Sequence, residues 1–501
     1  MEVGTVLTIL VLVFGFFMAW NIGANDVANA MGTSVGSKAL TFKKAVILAA
    51  IFEFLGAYLV GANVTNTVRK KIFDPALLTE LYTAYDTEPA LILACGMIAA
   101  LMAAGTWLMI ASYFGWPVST THAIVGAVVG FGCVALGASN IEWWTVMGIF
   151  AGWVVSPVLS GAVAYLVFRL ILQQIFYRKD PVRAAKRIAP YLVFLVLIVL
   201  IGVVTFKGFA PFWKERGIDK FDSQPLLMMC LLSVLFGLVG MFYMRHLVKD
   251  IKSSQDKEEE DEEEEGGKRF TTAPVSRGLT KAIMHLRRVR DASIGAVNER
   301  AVALLDQVEK LHSEIRPRIH YGSDSQELQK VERIFVFLQI LTACFVAFSH
   351  GSNDVANAIG PLSSAYEAIK SGEVAMKSGV PGWALALGGV GIVLGLATWG
   401  WRVIKTVGEK ITELTPSRGF CAEFAAAITI LAASILPIGL PISTTHTLVG
   451  AVLGVGLARG LGALNLATMR DIVASWLITI PMGAALSIVF YYLVKMIVLD
   501  S

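Results

Sequence analysis

The chain has 501 residues, of which 55% are hydrophobic and only 16% charged, and its formal net charge is +4. Soluble domains carry about one quarter charged residues, and the mean hydropathy here is +0.66, so that class is excluded. What remains is a polytopic membrane protein whose small positive charge belongs to its loops and offers nothing to a nucleic acid.

Apolar runs approaching the roughly 20 residues that a helix needs to cross the hydrocarbon occur at 3–33, 44–66, 88–112, 116–138, 142–170, 190–208, 225–247, 333–361, 383–405, 419–439, 441–464 and 471–498. The expected fold class is therefore all-α, with about twelve transmembrane segments. The start, Met1-Glu2-Val3-Gly4, shows neither a basic leader nor a small-residue cleavage site, so Met1 to Trp20 is expected to be a retained helix. Cys95, Cys133, Cys230, Cys344 and Cys421 fall inside expected spans without a CxxC pair, which indicates neither a disulfide framework nor a zinc site.

Basic residues collect at Lys38, Lys43 and Lys44, at Arg178 to Arg187, and at Arg245 to Lys252. The positive-inside tendency makes these cytoplasmic. The first span then runs from outside to inside, both termini lie outside, and the loop 250–332 is cytoplasmic. The span at 333–361 must leave the cytoplasm, antiparallel to the first. The loop opens with the like-charge block Asp256 to Glu265, which is expected to be disordered. From Leu279 to Ile315 it has helical apolar spacing through Ile283, Leu286, Val289, Ala301, Leu304 and Val308. A solvated helical linker and a partner-binding module both fit that pattern.

Two motifs recur. Gly23-Ala-Asn-Asp-Val-Ala-Asn-Ala-Met-Gly32 returns as Gly351-Ser-Asn-Asp-Val-Ala-Asn-Ala-Ile-Gly360, an offset of 328, and the element Pro117-Val-Ser-Thr-Thr-His122 returns as Pro441-Ile-Ser-Thr-Thr-His446, an offset of 324. The chain thus holds two homologous membrane halves, 1–249 with its linking helices and 333–501, joined by the loop. Combined with the orientation argument, the halves are expected to be inverted repeats with interrupted or re-entrant helices, as in many secondary transporters.

Within the spans stand four acids, Asp26 and Glu53 in the first half and Asp354 and Glu423 in the second. Lys and Arg are absent from 45–68, 89–168 and 334–369. Without basic partners each acid costs about 2.5–3.5 kcal/mol at a helix centre, so a cation is expected to come to them. Hard cations such as Na⁺ prefer carboxylate and carbonyl oxygens. Asn25, Asp26 and Asn29, repeated as Asn353, Asp354 and Asn357, supply such groups. Their convergence calls for a local bend, which Gly23 and Gly32 would permit. No cysteine or ExxH pair lies nearby, so no transition-metal site is expected.

In the second motif a proline opens a helix. Ser119, Thr120 and Thr121, repeated as Ser443, Thr444 and Thr445, place hydroxyls where backbone N–H groups are unpaired, which makes an anion site. His122 and His446 fit either an orienting role or a direct one. An anion site without a basic side chain beside four carboxylates works only once cations neutralise the field, so coupling lies in the electrostatics.

The segments GANDVANA and GSNDVANAIGP, the two P-x-STTH elements and Ala422-Glu423-Phe424 resemble the PiT family of inorganic phosphate transporters. The resemblance covers both halves and leaves out the loop. It implies a phosphate symporter of the plasma (inner) membrane, without a bound cofactor and forming a homodimer. Phosphate would contact Ser119, Thr120, Thr121, Ser443, Thr444 and Thr445. Cation ligands would come from Asn25, Asp26, Asn29, Asn353, Asp354 and Asn357, and Glu53 and Glu423 would serve transport. The intact GANDVANA wording with both glutamates resembles the sodium-coupled branch. Proton-coupled relatives that move a metal-phosphate complex, and relatives that carry sulfate, are the alternatives. A cation exchanger or channel using the acids alone is a competing class. So is an intramembrane Ser/His/Asp hydrolase, which two equivalent sets of residues argue against.

Overall fold

The structure, a computed structural model, describes residues 3–68, 72–83, 88–208, 212–213, 216–219, 222–253, 272–292, 295–315, 323–374, 380–435, 442–460 and 463–498. Among these residues the regular elements are all helices: α1 Val3–Gly36, α2 Phe42–Val68, α3 Ala76–Thr83, α4 Pro89–Phe114, α5 Thr120–Ala135, α6 Trp143–Ile171, α7 Pro181–Gly208 and α8 Ser223–Leu247. After the acidic block come α9 Thr272–Ala292, α10 Ala296–Ile315, α11 Ser323–Ser371, α12 Gly382–Thr398, α13 Trp401–Lys405, α14 Pro416–Ile435, α15 Thr444–Arg459 and α16 Leu466–Val498. Helices prevail because a chain in hydrocarbon must satisfy its backbone polar groups internally.

Eight described helices are long and apolar enough to cross a membrane, or nine when α12 and the segment Trp401–Lys410, bent by 58°, are taken as one broken span. The chain is a multi-pass membrane protein. Two of the expected spans are short elements that start beside the central polar cluster. The segment 116–138 becomes the 16-residue α5 and 441–464 the 16-residue α15, while the described part of 419–439 lies in α14. The amphipathic pattern of the loop forms α9 and α10, which pack on each other. The acidic block lies outside the described residues.

The core is α1 crossing α11. Gly4 meets Ile369, Gly15 meets Leu362, Asp26 meets His350 and Ser37 meets Gln339, so the two motif-bearing helices run antiparallel. Close approach comes from small residues. Gly23 lies on the backbone of Ile392 in α12, and Gly351 lies on the backbone of Glu53 in α2, each with no room for a Cβ. That is the use of the motif glycines. No break in the helix accompanies the expected bend around residues 25–29, since α1 is helical throughout from Val3 to Gly36 and Gly32 faces Val407.

Two hairpins enter the crossing. The C-terminal end of α4 reaches Asn25, Gly115 turns the chain with a φ of 71°, and α5 returns along α4 so that Gly96 meets Phe131. In the second half α14 and α15 pack on each other likewise. Each returning helix is clamped by a long helix of the other half, α5 by α16 and α15 by α6, again through glycines such as Gly126 on Ile480 and Gly450 on Pro157. Large apolar side chains such as Trp144, Val158 and Leu477 face outward, while Asn25, Asp26, Glu53, Asp354 and Glu423 are buried.

Replacing Gly351 with valine is expected to lower the thermal unfolding temperature in detergent, since overpacking of this kind costs about 1–3 kcal/mol. Gly148→Val serves as the control, because nothing lies within 4 Å of the point that a Cβ would occupy there. Equal melting of the two variants would refute the close contact.

Candidate functional site

The duplicated hydroxyl motif produces duplicated geometry. Ser119 and Ser443 are extended residues, at φ/ψ of −85°/122° and −80°/118°, and cap α5 and α15 by accepting from the N–H of His122 at 3.3 Å and of His446 at 3.2 Å. Thr120, Thr121, Thr444 and Thr445 then open the two helices, and all are buried.

These threonines meet the other motif directly, and mostly across the halves. Asn29 Nδ2 donates to Thr445 Oγ1 at 2.8 Å, and Thr445 Oγ1 lies 3.2 Å from Asp26 Oδ1. Asn357 Nδ2 donates to Thr120 and Thr121 at 3.2 Å each, while Thr444 Oγ1 donates to Asp354 Oδ2 at 3.0 Å. Asn353 Nδ2 lies 3.2 Å from Asp354 Oδ1. The expected cation ligands and anion ligands are therefore one hydrogen-bonded cluster.

Asn25 stands apart. Its Nδ2 donates to Ser112 Oγ and Trp116 O at 3.0 Å each, and its Oδ1 accepts from Val118 N at 3.1 Å. The side chain is a clasp that holds the α4–α5 turn against α1. The histidines of the second motif also lie away from the acids. The His122 and His446 rings pack on one another at a 4.3 Å centroid distance, and on Trp153 at 3.4 Å and Trp476 at 3.6 Å. They form a ring column spanning α6, α5, α15 and α16, with His446 Nδ1 3.2 Å from Trp153 O.

The acids do have a base, contrary to expectation. His350 Nε2 lies 2.8 Å from Asp354 and 3.5 Å from Asp26, and His350 Nδ1 lies 3.4 Å from Glu53. One imidazole cannot balance three carboxylates, and Glu53 Oε2 and Asn29 Oδ1 accept no hydrogen bond. Oxygens buried without a donor suit a cation. Beside the expectation of no transition-metal site stands one geometric fact, that ligand atoms of Asp26, His350 and Asp354 lie within 4.8 Å of one another and could hold a metal ion. The sequence signal was present but easily passed over. His350 is spaced i,i+4 from Asp354, yet it corresponds to Ile22 in the first repeat, so comparing the repeats hides it.

Glu423 stands in a separate buried polar cluster about 10 Å, or seven helical residues, further along α1 than Asp26. Thr33, Ser34 and Thr342 donate hydroxyls to its carboxylate, Gln339 Nε2 lies 3.4 Å away, and Ser37 donates to Gln339 Oε1 at 2.7 Å. Glu53 and Glu423 thus differ in surroundings, the first facing an imidazole and the second a ring of oxygens. None of those oxygen donors carries a repeated motif, so their role was not readable in advance.

Acids, amides and hydroxyls gathered in the middle of an apolar helical bundle define a membrane transport protein and not an enzyme. The model of the phosphate transporter family matches residues 22–487, and the chain belongs to that family. It is 44% identical over 498 residues to a Chlamydia pneumoniae protein named as a phosphate permease, with 98% of each chain covered. It is 42% identical to the "Inorganic phosphate transporter 2-1, chloroplastic" of Arabidopsis thaliana, over 96% of this chain and 71% of that one. A solved structure titled "The sodium-dependent phosphate transporter" superposes with a TM-score of 0.72 at 35% identity, covering 98% of this chain and 100% of that one. The first of these matches is too long to leave out the loop 250–332, so the likeness extends further than the motifs indicated.

His350→Gln is expected to lower the melting temperature markedly, since a buried charge left without its partner costs about 3–5 kcal/mol. Added NaCl should recover part of the loss by binding the folded state. A melting curve equal to that of the unaltered protein would remove His350 from the charge balance.

Proposed function

We propose that this protein is a secondary active transporter that carries inorganic phosphate in symport with a cation, Na⁺ in preference to H⁺, across the plasma membrane by alternating access. Family membership supports phosphate, and the sodium-dependent name of the structural neighbour supports the ion. The observation that carries the mechanism is the direct contact of Thr445 with Asp26 and of Thr444 with Asp354, at 3.2 Å and 3.0 Å. While the carboxylates accept these hydroxyl protons, the threonines cannot turn to an oxyanion, and an oxyanion would be repelled by the acids. A cation bound by Asp26, Asn29, Asp354 and Asn357 competes for the carboxylate oxygens and releases the hydroxyls. Phosphate then takes the hydroxyls of Thr120, Thr121, Thr444 and Thr445 and the helix starts capped by Ser119 and Ser443. Asn25 and Asn353 position the acids and the hairpin turn.

One imidazole, His350, faces three carboxylates, Asp26, Glu53 and Asp354, so the cluster leaves acidic groups for co-transported cations to meet. The hydroxyl and amide oxygens around Glu423 suit a further cation. The antiparallel crossing of α1 and α11 and the two hairpins support an inverted-repeat architecture in which the repeats rock about this cluster. The family resemblance supports a homodimer, and the basic residues near 38–44 and 245–252 support a cytoplasmic loop with both termini outside. The Asp26, His350 and Asp354 set favours a second reading, proton-coupled movement of a metal-phosphate complex.

Purified protein in liposomes should take up radiolabelled phosphate faster with an inward Na⁺ gradient than with choline at constant pH. No stimulation by Na⁺, together with stimulation by a divalent metal ion and a proton gradient, would sink the sodium reading in favour of the second. Asp26→Asn is expected to abolish uptake while the protein remains monodisperse. Replacing Thr444 and Thr445 with alanine should abolish phosphate uptake too, and an intact cation flux in that variant would point to a channel. Sulfate run in parallel tests the anion.

A further inference from the structure

At the end of the bundle where α1 terminates, the hairpin of α14 and α15 closes on Glu413. Its backbone carbonyl accepts from Arg418 Nη1 at 3.0 Å and from Arg459 Nη1 at 3.2 Å. Its carboxylate lies 3.2 Å from Arg459 Nη2 and 3.5 Å from Arg418 Nη1. Two guanidiniums therefore face each other across a single residue. Their side chains are 20% and 24% exposed, whereas that of Glu413 is 76% exposed.

The neighbouring acid, Glu332, is already committed, because its two oxygens accept from the N–H and the hydroxyl of Ser417 at 2.8 Å each. Two partly sheltered arginines that repel one another share the outlying carboxylate of Glu413, while Glu332 acts on Arg418 through its field. An ion pair with so exposed a partner contributes little and exchanges readily. Paired guanidinium forks match the edges of a tetrahedral oxyanion, which offers more oxygens and more charge than a carboxylate. Arg418 lies five residues before Glu423 on α14, roughly 7.5 Å along the axis, so the pair stands at the outer end of the helix that carries Glu423.

We propose that Arg418 and Arg459 form a second, low-affinity oxyanion site that receives phosphate at this mouth of the protein, with Glu413 as a built-in carboxylate plug that the anion displaces. The identity of the anion rests on the phosphate-transport reading above. Phosphate accumulating on this side would hold the site, and the plug sets the concentration at which it does so. A phospholipid headgroup carries the same chemistry as free phosphate.

The test is equilibrium binding of radiolabelled phosphate to the full-length protein in Na⁺-free choline buffer, where the central site lacks its cation. Neutral phosphatidylcholine nanodiscs are the reference. Weak binding is expected in the unaltered protein, tightened about tenfold by Glu413→Gln, the weight of a charge-assisted hydrogen bond, and lost in Arg459→Gln. Arg459→Lys, which keeps the charge without the fork, should bind at an intermediate level and guards against misfolding of the glutamine variant. Sulfate should compete. An unchanged affinity in Glu413→Gln, or full binding in Arg459→Gln, overturns the proposal. Loss of phosphate binding when anionic lipid replaces neutral lipid would assign the site to a headgroup and overturn it as well. Because Na⁺ is absent throughout, failure of sodium-driven uptake and failure of this site are separately visible.

Discussion

The contact between a carboxylate and a threonine hydroxyl at the start of a helix, made once by Asp26 with Thr445 and once by Asp354 with Thr444, is the constraint on which the remaining structure depends. A carboxylate in the middle of an apolar bundle must be stabilised by donors, and a helix start carries unpaired N–H groups that favour negative charge. Bringing the two together satisfies both, but in a way that a cation and an anion arriving together can undo. The pairing is worth having only if the helix starts reach the centre, which is why α5 and α15 begin halfway into the bundle and do not cross it.

Holding that contact requires four chain segments to converge within a few ångströms. The glycine faces of α1 and α11 bring backbones together where larger residues would hold them apart, and the hairpins are clamped by helices of the opposite half. Asn25 illustrates how position governs chemistry. Its amide has the same groups as that of Asn29, yet it is occupied by Ser112, Trp116 and Val118 and so serves the turn. The ring column of Trp153, His122, His446 and Trp476, in which the two imidazoles meet edge to face, joins the starts of α5 and α15 beside the threonines. Imidazoles packed in this manner brace the hydroxyls without competing for their partners.

Polarity is graded along the bundle. The central cluster has an excess of carboxylates over its one imidazole, Glu423 stands as one carboxylate among neutral donors, and the end where α1 terminates has two guanidiniums around Glu413. The surroundings therefore favour a cation inside and an anion at that end.

The all-helical membrane class, the antiparallel run of the motif helices and the polar side chains of Asp26, Asn29, Asp354, Asn357 and the threonines that the fold gathers together were legible in the sequence, because apolar run length, duplication and intramembrane acids are one-dimensional signals. Chain pairing was not. His350 looked like an unremarked neighbour of a repeat until folding set it between Asp26, Glu53 and Asp354, and Gln339 and Thr342 acquired meaning only beside Glu423. The sequence also suggested a bend in α1 where the tertiary structure has an unbroken helix packed through its glycines. By itself, then, the sequence determined which polar groups enter the bilayer. The tertiary structure decided which of them face one another, since apart from the i,i+4 pair of His350 and Asp354 the partners of the buried acids stand on other helices and are selected by helix crossing.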